Sequence, residues 1–113
     1  MPTVLLLDDE RDFADGRDTL VARSTTEAIE LTESLFELDE LWLDYVLRRS
    51  DTADLFLMHL SKRRRANRPL LLKKVYIHTS SGSAVSLLKE YLSELGVHPD
   101  DIIRVDHREY FVG

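Results

Sequence analysis

The chain has no cysteine, which excludes disulfides and Cys-based zinc or redox chemistry. It has only 4 glycines and 3 prolines, and it shows no internal repeat, low-complexity segment or linker. Long apolar runs are absent too. The opening run, Thr3–Leu7, has no positive charge before it and meets acid at Asp8. That pattern is a strand, not a secretion signal or a membrane span. A cytoplasmic protein without a membrane partner is the default expectation. Positive charge is in short supply, with 15 Lys and Arg against 21 Asp and Glu for a net charge of −6.

What is present fits one domain over residues 1–113 with a real hydrophobic core. The apolar fraction is 43% and the charged fraction 32%, the proportions of a globular protein. The scarce positive charge is concentrated. Lys62, Arg63, Arg64, Arg65, Arg68, Lys73 and Lys74 fall in one acid-free stretch, leaving 8 basic against 21 acidic residues elsewhere. Such a cluster can make weak, non-specific contact with a nucleic-acid backbone through Lys62, Arg63, Arg64 and Arg65. It can equally be a solvated helix end, where cations complement the helix dipole. No aromatic residue interleaves it, so base stacking is not expected.

The pattern along the chain alternates strands and helices. Residues 3–7 read as a strand buried on both faces. Residues 8–17 are polar and acidic and read as a loop. A short strand over 19–23 leads to Ser24 and Glu27, a capping box that opens a helix through about Phe36. A third strand covers 40–43. Asp51 is a candidate N-cap for a helix over 53–66, which Asn67–Pro69 stops. A strand over 74–78, a helix over 83–95 ended by Gly96, and a strand over 102–105 complete the series. Residues 106–113 fit no element. This order predicts an α/β fold, a doubly wound parallel sheet of about five strands covered on both faces, with a short loop where the first helix would be.

Acids recur where strands run out. Asp8 and Asp9 follow the first run, and Asp44 follows Leu41–Leu43. Carboxylates gathered at one sheet edge repel unless a cation joins them, and their oxygens suit Mg²⁺. Ligands favour that edge in open α/β sheets. Thr79 ends the fourth strand. His78, one residue earlier, reads as a packed core histidine if the strand continues through it, and as a general acid or base if the strand has ended. Arg11 can grip a phosphate oxygen or pair with the acidic loop. Ser80 and the turn Ser81–Ser83 lie next to a helix start, where free N–H groups favour anions. Trp42 reads as core.

These residues resemble the receiver domain of response regulators. LLLDDE supplies Asp8 and Asp9, LWLDYV supplies Asp44, and VYIHTS supplies Thr79. The resemblance implies that Asp8, Asp9 and Asp44 hold Mg²⁺ with the backbone carbonyl of Val46. It implies Asp44 as phosphoacceptor and Thr79 as a phosphoryl contact. The strand-five lysine of that family is missing, and Arg104, His107 and Arg108 are the basic residues nearby. The chain is more closely similar to the cyclic-phosphate processing receiver domains. Leu7–Arg11 (LDDER) and His78-Thr79 match their motifs, while Tyr45 and Val46 depart from the LDHDL pattern. This likeness implies a metal-dependent centre that binds or processes a phosphoryl group, with Asp44, Asp9, Thr79 and His78 in catalytic positions and Thr79, Ser80 and Arg11 on the phosphate. Its partner would be a phosphorylated small molecule, a cyclic phosphate end of RNA or a protein. The alternatives are a phosphoacceptor switch at Asp44 and a non-catalytic interaction module.

Overall fold

The computed structural model describes residues 2–113, apart from the side chain of His107. Five strands form a parallel sheet: β1 (Val4–Leu7), β3 (Leu20–Ala22), β4 (Glu37–Leu43), β5 (Leu71–Ile77) and β6 (Ile102–Arg104). Their spatial order is β3-β1-β4-β5-β6. The chain therefore reverses its direction of travel across the sheet between β1 and β4. That reversal opens a crevice at the carboxyl ends of these two strands, the usual place for a ligand.

Alternation divides the strand residues between two cores. Leu5, Leu7, Leu41, Leu43, Val75 and Ile77 face a layer of three helices, α1 (Thr25–Thr32), α2 (Asp54–Arg65) and α3 (Gly82–Glu94). Ala28, Phe56, Leu57, Leu60, Leu88 and Leu92 fill that layer. The opposite face, with Val4, Leu6 and Trp42, carries no α-helix among the described residues. It is covered by Phe13 and Phe111. These two residues lie on a small antiparallel ribbon of β2 (Asp12–Phe13) and β7 (Phe111–Val112). The expected loop over 8–17 and the unassigned tail thus meet and form one structure. Trp42 stacks on Tyr76 with ring centroids 4.2 Å apart and meets Phe13 edge-on at 4.9 Å. It is core, as expected.

Several boundaries moved for identifiable reasons. α1 ends at Thr32 rather than near Phe36. Arg63, only 3% exposed, donates to the Thr32 and Leu35 carbonyls from Nη1 and Nη2 and to the Arg68 carbonyl from Nε. The helix is stopped by a guanidinium from α2. Arg63 is therefore neither open to a nucleic acid nor part of a solvated helix end. Arg64 is occupied as well, donating to the Glu94 carbonyl near the end of α3. Asp51 does not cap α2, whose cap residue Ala53 makes no side-chain hydrogen bond. Its carboxylate instead accepts from Thr25 N at 2.7 Å and holds the start of α1. Two helix ends agree with expectation. Asn67 (φ 60°) and Gly96 (φ 86°) take the left-handed conformation after α2 and α3. The N–H groups of Arg68 and Val97 reach back to Arg63 and Leu92, closing Schellman motifs. Among the described residues no helix is long and apolar enough to cross a membrane.

Candidate metal and phosphate site

Each strand's ladder continues for one residue past its end. Asp8 N donates to Ala22 O, Asp44 N to Leu7 O and His78 N to Leu43 O, at 3.1, 3.1 and 2.9 Å. These bonds set Asp8, Asp44 and His78 side by side. Leu7, Leu43 and Ile77 face the helices, so alternation turns the next residue of each strand toward the ribbon. There the three side chains converge. One ligand atom from each lies within 4.8 Å of the others.

Asp8 is fully buried. Its Oδ1 accepts from the N–H groups of Glu10 and Arg11, both at 2.9 Å, and its Oδ2 lies 3.0 Å from His78 Nε2. Burial alone would push its pKa up. The bonds from His78, Glu10 and Arg11 outweigh burial and pull it down to about 2. Asp44 moves the opposite way. Burial raises its pKa, and the neighbouring Asp8 charge adds to the rise, against the His78 imidazole, the Tyr45 N–H and Arg11. Arg11 bridges the pair, with Nη1 3.6 Å from Asp8 Oδ2 and 3.4 Å from Asp44 Oδ2.

His78 follows the last residue of β5 and is both packed and polar. Its ring lies 4.5 Å from that of Phe111, and its Nδ1 has no hydrogen-bond partner among the described residues. The sequence pattern favoured a plain core histidine, and what it missed is the bond to Asp8 from seventy residues away. Arg23 was missed as well. It donates to the backbone carbonyls of Asp8 and Arg11 and pairs with Asp12, so it fixes the acidic loop from the end of β3. Its only sequence signal is a cation placed just past a strand that neighbours β1.

Asp9 does not join the converging set. Its Oδ2 is 3.5 Å from Arg48 Nε, across the crevice on the β4–α2 loop. In that loop Arg49 and Ser50 hold φ of 57° and 63°, a conformation unusual for non-glycine residues and common near functional sites. The side chain of Val46 is exposed, and the residue bridges Thr52. Thr79 is buried, and its Oγ1 accepts from Ser81 N at 3.4 Å. Ser81, not Ser83, caps α3 by accepting from Ala84 N. Thr79, Ser80 and His78 line a cleft of about 570 Å³ that runs toward Arg104, Asp106 and Arg108.

The donor set fits a hard divalent ion. Two carboxylates converge at one buried edge where burial disfavours the charge on Asp44, and a cation there would neutralise them. Arg11 supplies part of that neutralisation from within the chain.

The family model described as "Cyclic-phosphate processing Receiver domain" matches residues 3–94. No curated protein matches the chain. Among solved structures, the receiver domain of the Francisella response regulator 1452 is similar, with a TM-score of 0.52 and 24% identity. The match covers 92% of this chain and 84% of that one, and it is a likeness of fold.

Proposed function

The chain belongs to the cyclic-phosphate processing receiver domain family, and from that premise we propose that its acidic centre binds Mg²⁺ and holds or processes a phosphoryl group. The observation that carries this reading is the convergence of Asp8, Asp44 and His78 within 4.8 Å, with Asp44 shifted toward its neutral form by burial and by Asp8. Asp8 and Asp44 would hold the ion. The Val46 carbonyl, and Asp9 on leaving Arg48, would be further ligands. When bound, the ion polarises a phosphoryl oxygen as a Lewis acid.

The chain's own groups account for the rest. Arg11, which bridges the two carboxylates, would turn its guanidinium to a phosphate oxygen once a cation took its place between them. Thr79 Oγ1 and Ser80 meet the phosphoryl group from the cleft side. His78 keeps Asp8 oriented through Nε2. A cyclic phosphate end of RNA is the substrate class that the family name suggests. The test is Mg²⁺ titration followed by backbone NMR, with shifts expected at Asp8–Arg11 and Asp44. An Asp44→Asn variant that responds like wild type would sink the site. Turnover of a 2′,3′-cyclic nucleotide, lost in Asp44→Asn, marks an enzyme. A mass gain on Asp44 from acetyl phosphate, without turnover, marks a phosphoacceptor instead.

A further inference from the structure

The receiver-like pattern lacks its lysine at the end of the last sheet strand, and the register shows what stands there. Ile77 of β5 pairs with Arg104 of β6, and Val105 N bonds to Ile77 O. Two residues on, the position beside Thr79 belongs to Asp106. An acid therefore sits where a phosphate-binding cation would be needed. Arg108 holds that acid, donating from Nε at 3.2 Å to each oxygen and from Nη2 at 2.8 Å. This pair largely cancels its own charge.

Arg104 differs. It ends β6 with an exposed side chain, and its guanidinium makes one hydrogen bond among the described residues, from Nη2 to the Ser80 carbonyl at 3.3 Å. That bond lays a fork of N–H donors along the wall of the cleft that also contains Thr79, Ser80 and His78. His78 in turn bonds Asp8, so the cleft adjoins the acidic centre directly.

We propose that Arg104 is the phosphate-binding residue of this cleft and replaces the missing lysine from two residues before Asp106, level with Ile77. A guanidinium suits the task because two parallel N–H groups match two phosphate oxygens. The ligand is a phosphate monoester or cyclic phosphodiester whose phosphoryl oxygens lie between Arg104, Thr79 and the metal-side acids. The inference rests on the phosphoryl-binding reading given above.

The test is titration of inorganic phosphate into the full chain with Mg²⁺, followed by backbone NMR. Wild type is expected to show saturable shifts at Thr79, Ser80 and Arg104. Arg104→Gln keeps an N–H for the Ser80 carbonyl but loses the charge and the fork, and it is expected to weaken phosphate at least fivefold while its Mg²⁺ shifts stay unchanged. Arg104→Lys is expected to fall between the two. Arg65→Gln, an exposed cation on α2 outside the cleft, serves as the control and should bind within twofold of wild type. If Arg104→Gln binds within fivefold of wild type, the assignment of Arg104 is overturned and the functional reading survives. If wild-type protein ignores phosphate with Mg²⁺ present, both are overturned.

Discussion

Where the strands of this sheet begin, Arg63 is buried and gives its donors to three carbonyls, Arg64 caps α3, and Arg68, Lys73 and Lys74 pair with Glu33, Asp39 and Asp101. Where the strands finish, Asp8 is satisfied four times over, yet burial and the Asp8 charge hold the pKa of Asp44 up, and His78 Nδ1 is buried with no hydrogen-bond partner among the described residues. At the basic end Arg63 and Arg64 hold helix ends in place, and Arg68, Lys73 and Lys74 have acidic partners. The acidic end is incompletely matched. The difference teaches that charge density in a sequence does not locate a binding site. What locates it is charge that the fold leaves without a complete set of partners.

The largest way to break this comparison is Arg63→Ala. It strips three carbonyls of their donor, one in a buried and two in partly buried hydrogen bonds, and unfolding free energy should fall by roughly 3 to 5 kcal/mol. Arg65→Ala, a change at an exposed neighbour, should stay within about 0.5 kcal/mol. Denaturant melts of the two variants check the contrast. Equal effects would mean that the basic end is a solvated surface after all.

Phe111→Ala should cost about 3 kcal/mol, because it removes the ring packed on Phe13, Trp42 and His78. It should also open His78 to water, which proton exchange at the imidazole would register.

Acid titration is the next effect in size. Asp8 has a folded pKa of about 2 against an ordinary 3.8. Its stabilisation is therefore present above pH 4 and is lost as pH falls toward 2, by an amount on the order of 2 kcal/mol. Asp44 has the opposite sign. Its folded pKa is raised, so its contribution is held at low pH and lost as pH rises above the ordinary carboxylate value. Melting curves across pH 2 to 7 should show the acid-side loss in wild type and its disappearance in Asp8→Asn.

The smallest effect is the sharpest in sign. Asp44→Asn removes a disfavoured charge and should raise Tm at neutral pH by a few degrees while weakening the Mg²⁺ response. A lower Tm would show that Arg11 already compensates Asp44 fully.

Much of this was legible in the sequence, and the reasons are local. The order of strands and helices followed from apolar periodicity, and Gly96 marked a helix end because its backbone conformation favours glycine. Asp8 and Asp44 could be placed at one edge because each ends a strand. Asp9 lies outside the converging set because alternation turns it away from Asp8, toward Arg48. Arg63 was unreadable as a buried residue, since its burial depends on where α1 stops, and Arg63 itself decides that. The ribbon was invisible because each of its strands is only two residues long, too short for any period to show. His78 was half-legible. Its burial followed from the strand pattern, but its bond to Asp8 depends on the order of strands in space.

The ribbon has a consequence for how the molecule assembles. Phe13 and Phe111 are neighbours across a loop of roughly a hundred residues, and closing so long a loop before the sheet exists has a large entropic cost. Forming the parallel sheet and its helices first brings the two short strands together, so they are predicted to zip onto the finished face last. Phe111→Ala should therefore leave the refolding rate nearly unchanged and speed unfolding by almost its full energetic effect. The wall behind His78 is thus the last part of the molecule to form and the first to open.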